Sequence, residues 1–393
     1  MLAHPLLDPG GLRVPPISAA VAAALIVTLV GRFWPGPDPP RAQQAHLEVQ
    51  SWHGRLRGPT ILTRVVAVGL LVLAVVAGRV GSTQELENLA PALVVGTAWP
   101  MLVLASAFLG SVWRWVDPWD ALARPVAPSG EAGGDVRWAA IPALALTWYL
   151  GAYPTPLHPR AVGLVLAGYS IVTLAGCLAL GRTSWLSRVE VFGLVFGWTA
   201  LLRRGALRSW RPPRGATLFL AALAGGLTFG AIRRSTLWGD LNVAEHALLL
   251  ATGGLAVVAG GFALLLGWAD RRAGAVGAPG SVAAAMVPAV AAVAVAMALA
   301  RNRLFTSVQL LPGLLTDPFG SGDGPLARGS SLDPEPLGTV GLVAAQVGIL
   351  LAGHLLGALV LARRATVQQR QPGMVGLAVS MAVTMAAVTA NHV

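Results

Sequence analysis

The chain has 393 residues, of which 55% are hydrophobic and only 11% charged, and its formal net charge is +11. So few charges cannot cover the surface of a soluble domain of this length, which excludes a water-soluble globular fold. All 28 cationic side chains are arginine; no basic face is interleaved with stacking aromatics, which argues against nucleic acid and leaves the lipid bilayer as the partner.

A span needs about 20 largely apolar residues to cross the hydrocarbon core. In chain order, stretches of that kind run from 17 to 34, 61 to 79, 92 to 113, 138 to 153, 161 to 181, 216 to 232, 246 to 268, 281 to 300, 339 to 362 and 373 to 390. The predicted fold is all-α, a polytopic membrane helix bundle of about ten transmembrane helices within one membrane domain, 1–393, divisible into halves 1–185 and 205–393. Arg13 precedes the first apolar core, but Gly31, Arg32, Phe33, Trp34 and Pro35 follow it without a small-x-small cleavage pattern, so a retained first helix is expected.

One further stretch, 189–202, is shorter and bracketed by arginines: Arg182 and Arg188 before it, then Arg203, Arg204, Arg208, Arg211 and Arg214. Crossing would carry one of these clusters outside, so residues 186–204 are read as an interfacial helix. With that assignment nineteen arginines fall in alternate loops on one side and eight on the other, with Arg64 inside the second span. The arginine-rich side is expected to be cytoplasmic, facing anionic lipid. That orientation predicts a bacterial cytoplasmic-membrane protein with both termini extracytoplasmic. The longest loop, 301–338, then lies outside. Arg64, one turn into its span, is expected to snorkel to the interface.

Trp34, Trp113, Trp115, Trp119, Trp138, Trp238 and Trp268 fall near span ends, where an amphipathic indole suits the headgroup region, and are read as anchors. Gly226 with Gly230, and Gly353 with Gly357, place two small residues on one helix face and predict close packing. The single cysteine, Cys177, excludes an internal disulfide and a thiolate zinc cluster.

The chain has no phosphate-cradling glycine loop followed by lysine, no HExxH, no GxSxG and no carboxylate pair within a span. Polar residues at membrane depth remain. His354 is the sharpest, with Gln346 two turns earlier and about 80° around the helix, so that the two border one seam. The functional reading of His354 is a metal or haem ligand or a proton carrier. The plainer one is a neutral histidine donating to a carbonyl of a neighbouring helix. On the expected outer side His4, Asp8, Glu85, Glu87, His158, Asp240, Glu245, His246, Asp317, Asp323, Asp333 and Glu335 gather. Such ligands can bind a divalent cation or activate water. Glu245, His246 and Asp317 are the catalytic candidates, and Asp240, Glu245 and His246 the metal candidates. The competing reading is a solvated acidic face that the arginine bias leaves behind.

Asp117, Pro118 and Trp119 on one side, and Asp317, Pro318 and Phe319 on the other, repeat an Asp-Pro-aromatic pattern that reads as a helix start, Asp as N-cap and Pro in the first turn. A 5+5 division puts the two in corresponding loops on opposite sides, with Pro100 and Pro288 in corresponding spans, as an inverted repeat requires.

At these residues the chain resembles a family of actinobacterial multi-pass membrane proteins labelled fenitrothion hydrolase. The resemblance lies in Ala3 and His4, in Asp117, Pro118 and Trp119 running to Ala123 and Arg124, in Glu190, Phe192 and Gly193, in Asp317 to Gly320, and in Gly353 with His354. It implies metal-assisted hydrolysis of a phosphotriester at the membrane. The chain departs from the family pattern early in the eighth span, where a histidine is replaced by the run Ala283, Ala284, Ala285, Met286. That leaves His354 without an intramembrane partner ligand.

Two function classes follow. One is a membrane-bound hydrolase of small hydrophobic substrates, working at the extracytoplasmic face with a divalent metal. The other is a non-enzymatic permease or assembly factor, for which helices, glycine seams and a 5+5 arrangement suffice. Metal content separates them. The sequence names no partner subunit.

Overall fold

The computed structural model describes residues 16–34, 58–203, 205–239, 246–322, 324 and 332–391. Inside a bilayer every backbone N–H and C=O must be satisfied within the protein, so the apolar stretches become helices. In chain order these are α1 (Pro16–Phe33), α2 (Gly58–Val80), α3 (Pro91–Leu109), α4 (Trp113–Val116), α5 (Pro118–Ala123), α6 (Ala140–Gly151), α7 (Pro159–Leu180), α8 (Arg182–Arg188) and α9 (Val191–Thr199). They continue with α10 (Ala216–Ile232), α11 (Thr236–Gly239), α12 (Ala247–Ala275), α13 (Ser281–Leu299), α14 (Arg303–Thr316), α15 (Gly338–Arg364) and α16 (Val367–Thr389). There is no strand among the described residues.

Among the described residues, eight segments are long and apolar enough to cross a membrane. The other two expected spans form shorter helices, α6 with 12 residues and α10 with 17. The chain is an all-α, multi-pass membrane bundle.

A helix apolar on every side belongs in the interior. α10 and α13 fit that rule: their side chains are buried almost without interruption. α15 lies along α13, and α6 and α12 flank α10. The glycine pairs make these contacts possible. A Cβ on Gly353 would stand 2.6 Å from the Pro288 carbonyl oxygen, and one on Gly226 would collide with Thr147 of α6.

Loops assigned to the arginine-rich side meet one another. Arg370 donates to the carbonyls of Arg32 (2.9 Å) and Trp34 (3.2 Å), and Thr63 donates to Trp115 O (2.6 Å). The Val136 N–H donates to Arg214 O at 2.8 Å, and Arg364 donates to Leu207 O at 2.6 Å. At the opposite end, Ser82 N–H donates to Phe319 O (2.7 Å) and Thr236 Oγ1 to Ala390 O (3.4 Å).

Two local expectations change. Segment 301–338 is not loop throughout, since α14 occupies Arg303–Thr316, set off from α13 by Arg301 and Asn302, both at φ 55°. α9, in the 189–202 stretch, makes no crossing: nine residues at about 1.5 Å each reach less than half the hydrocarbon core. It does not rest on lipid, however. Val191, Leu194, Val195, Phe196, Trp198 and Thr199 are all buried, because α3, α4, α8 and α13 pack around it.

Candidate site at the arginine-rich end

Asp117 stands between α4 and α5 with extended backbone, and its Oδ1 accepts the N–H groups of Trp119 and Asp120, both at 3.0 Å. This is the helix start that the Asp-Pro-Trp motif predicts. The second such motif does something else. Asp317 follows the end of α14, and its oxygens accept from Ser321 N and Oγ (3.0 Å each) and from Gly322 N (2.7 Å), closing a turn rather than opening a helix.

Glu190 repeats the N-cap arrangement for α9: its carboxylate accepts from Phe192 N (2.9 Å) and Gly193 N, while Tyr169 of α7 donates its hydroxyl to Oε1 at 2.7 Å. Glu190 is 1% exposed and Asp117 7%. Burial, followed by the nearby Glu190 and Asp120 carboxylates, pushes the Asp117 carboxyl well above its ordinary range. Burial raises Glu190 as well, against the pull of its Tyr169 and backbone donors.

Asp120 is the centre of a buried ion cluster. Arg64 of α2 and Arg182 of α8 each bond one of its oxygens, and Arg124 reaches it at 3.0 Å. Burial alone would raise this carboxyl, but the three guanidiniums outweigh it and hold Asp120 below the usual range. Arg64 therefore does not snorkel. It is 5% exposed and turns inward, bonding Asp120 and, at 2.8 Å, the Arg114 carbonyl. A charge at this depth costs less when paired than when its long stem must reach for water. The sequence reading missed Asp120, Arg182 and Tyr169; an arginine inside an apolar span was the signal that a carboxylate had to be found for it.

Above the cluster lies an aromatic layer. Trp119 stacks on Phe192 (5.5 Å between centroids) and meets Tyr169 edge-on (5.1 Å), while Trp113 packs against Phe196 at 4.9 Å. Trp113 and Trp119 are thus core residues and not lipid anchors; Trp115 and Trp138 remain exposed near span ends.

These elements border a partly open cavity of about 390 Å³, lined by Arg64, Trp113, Asp117 and Asp120, by Gly193, Leu194, Gly197 and Trp198 of α9, and by Trp210 and Arg211. That is the size of a small-ligand site. The indole Nε1 of Trp113 is buried without a hydrogen-bond partner, and so is Arg64 Nε. Trp113 Nε1 sits beside Gly193, where a Cβ would be 3.6 Å from it.

The other predicted residues lie elsewhere. Gln346 donates to Ala296 O of α13 at 2.8 Å. His354 bonds Leu350 O one turn back in its own helix (2.9 Å) and Ser380 Oγ of α16 (3.4 Å). Both are buried; Gln346 bonds α13, and His354 bonds its own helix and α16. The plainer reading of His354 expected a carbonyl on a neighbouring helix; the carbonyl is in its own. His246 is exposed at the start of α12, and Asp240 and Glu245, like His4, Asp8 and Asp323, lie outside the described residues. Among the described residues no three His, Cys, Asp or Glu side chains come together as a metal would require.

Compared with family models, curated proteins and solved structures, the chain finds no match.

Proposed function

We propose that this multi-pass membrane protein works through the cavity at its arginine-rich end, admitting a small molecule there as a permease-type binding site. One observation carries the reading: a cavity of about 390 Å³ is built from segments far apart in sequence, beside a buried ion cluster in which Arg64 and Arg182 each bond one oxygen of Asp120. A cluster of that kind is costly to bury and fixes the geometry of what surrounds it. Ser209, exposed and on the cavity wall, gives the test. Ser209→Trp should block the site, and native mass spectrometry should show a small molecule retained by the purified wild type and lost from the variant. Identical spectra overturn the reading.

A hydrolytic reading is favoured by a separate observation. Asp117, Trp119, Arg124, Glu190, Phe192 and Gly193, part of the residues on which the resemblance to the fenitrothion hydrolase family rests, converge on this one site, while Asp317 and His354 lie away from it. Asp117 would be its acid or base, since both cap bonds go to Oδ1. The metal-assisted form of that chemistry finds no donor set among the described residues. Release of the nitrophenol from fenitrothion by purified protein, abolished in Asp117→Asn, is the expected outcome. No turnover above a protein-free blank rejects it.

A further inference from the structure

We infer that the bundle holds part of one acyl chain of a bilayer lipid in an apolar crevice where α3, α6 and α7 come together. The crevice is distinct from the cavity but adjoins it through the first turn of α9, whose Val191 and Phe192 line the crevice while Gly193 and Leu194 line the cavity. Packing explains why the gap exists. α6 packs on α10, α7 on α2 and the end of α3 on α9, so each of the three helices has a partner other than its two neighbours here. Val95, Trp99, Leu146, Leu150 and Val165, all partly exposed, form the rim, and the buried Leu223 and Leu227 of α10 lie deeper with Val191.

The rim is continuous with the lipid-facing surface. The same three helices present Met101, Ile141 and Leu164 outward, 45%, 61% and 61% exposed. Inside, almost all of the surface that the walls offer is carbon. Three hydroxyls lie along it, and each is already used within the protein: Thr147 donates to Ala143 O, Tyr149 to Pro156 O and Tyr169 to Glu190 Oε1. An apolar space of this kind stays dry, and left empty it deprives its lining of dispersion contacts.

Size and depth select the chain. At about 90 Å³ the space takes only a few methylene groups, well short of the roughly 300 Å³ or more of a drug-sized site. On α7 the lining runs from Val162 to Tyr169, about 10 Å along the axis at about 1.5 Å per residue. α7 begins at the end opposite the arginine-rich one, where Arg79 donates to Arg160 O at 3.5 Å. The crevice therefore fits within one leaflet, about 15 Å of hydrocarbon, and the lipid that fills it belongs to the leaflet opposite the arginine-rich end.

The test uses full-length protein in nanodiscs of phosphatidylcholine doped with one of two photoreactive forms, carrying a diazirine either near the end of an acyl chain or on the headgroup. Adducts are mapped by peptide mass spectrometry after illumination. The chain probe should mark exposed Leu164 and also Leu223 or Leu227, which are 2% and 7% exposed and out of reach of lipid that merely surrounds the bundle. α13, as deeply buried and off the crevice, should stay unmarked, and the headgroup probe should mark neither α10 nor α13. Leu150→Trp and Val165→Trp, two rim substitutions on different helices, should each abolish the α10 adducts while Leu164 remains marked. Ser209→Trp, which fills the cavity, should leave the α10 adducts in place, so this inference and the cavity reading fail separately. A wild type marked at Leu164 but blank on α10 overturns the inference. So do α10 adducts from the headgroup probe, or chain-probe adducts there that persist in both rim variants.

Discussion

Asp117 and Glu190 perform the same local task at two helix starts, each giving its carboxylate to two backbone N–H groups of the turn that follows, and both are buried within one site. An N-cap normally sits in water, where a carboxylate is free to stay charged. Here both caps are buried, close enough for Glu190 to act on Asp117, and each has its acidity weakened by burial.

That raised affinity for protons sets the sign of a pH effect. The folded chain keeps protons that an unfolded chain releases above the ordinary values of 3.8 for Asp117 and 4.5 for Glu190. Stability from these groups is full below those values and declines as pH rises through the elevated folded ones. Asp120, held low by its arginines, acts oppositely and loses its contribution as pH falls. Thermal unfolding in detergent should therefore show a midpoint that these groups lower as pH rises above their ordinary values, and Asp117→Asn, which keeps the cap but cannot ionise, should flatten that limb. An unchanged slope in the variant contradicts the assignment.

Asp120→Ala should be among the most damaging single changes at this end of the bundle. Removing it leaves Arg64 and Arg182 buried without their carboxylate, and breaking a buried pair from one side costs about 3–5 kcal/mol. Arg124, a third of whose side chain is exposed, should matter much less, about 0–1 kcal/mol for Arg124→Gln. The comparison needs unfolding midpoints of both variants under one detergent condition; equal losses would mean that the cluster is not organised around Asp120.

The helices and the grouping of their loops were legible because lipid leaves the chain few options. Apolar length dictates the spans, and arginine alternation sorts the connections, whose mutual contacts agree with that sorting. The site was legible only in fragments. Asp117 read correctly as a cap, but its neighbour Asp120 has no local role that a pattern reveals; it is explained by Arg64 and Arg182, which come from other helices. Trp113 and Trp119 were misread because an indole at a span end looks the same whether it faces headgroups or a core. α9 misled for a similar reason: its arginine flanks argued against a crossing, but an apolar nine-residue helix can satisfy that constraint on the surface or, as here, packed inside.

The seam between α13 and α15 gives a steric prediction with its own control. A methyl on Gly353 would meet the Pro288 carbonyl oxygen at 2.6 Å and also the Ala292 side chain, and neither can yield without separating the helices. Gly353→Ala should destabilise the protein by about 1–3 kcal/mol, the cost of overpacking. Gly348, in the same helix, has nothing within 4 Å of its would-be Cβ. Gly348→Ala should be neutral or gain up to about 1 kcal/mol from helix propensity. Unfolding midpoints that fail to separate the two variants would contradict this packing.

His354 is fully buried yet modestly bonded, with one contact in its own helix and a long one, 3.4 Å, to Ser380. Interhelical hydrogen bonds inside membranes average well under 1 kcal/mol, because an unassembled helix also finds partners for its polar groups. His354→Gln, which keeps a donor and an acceptor at similar reach, should therefore lower stability by about 1 kcal/mol or less. It should also leave the small molecule retained at the cavity unchanged, since His354 is not on the cavity wall. A His354→Gln protein that folds but no longer retains that molecule would show that α15 and the arginine-rich end are coupled in a way the packing does not explain.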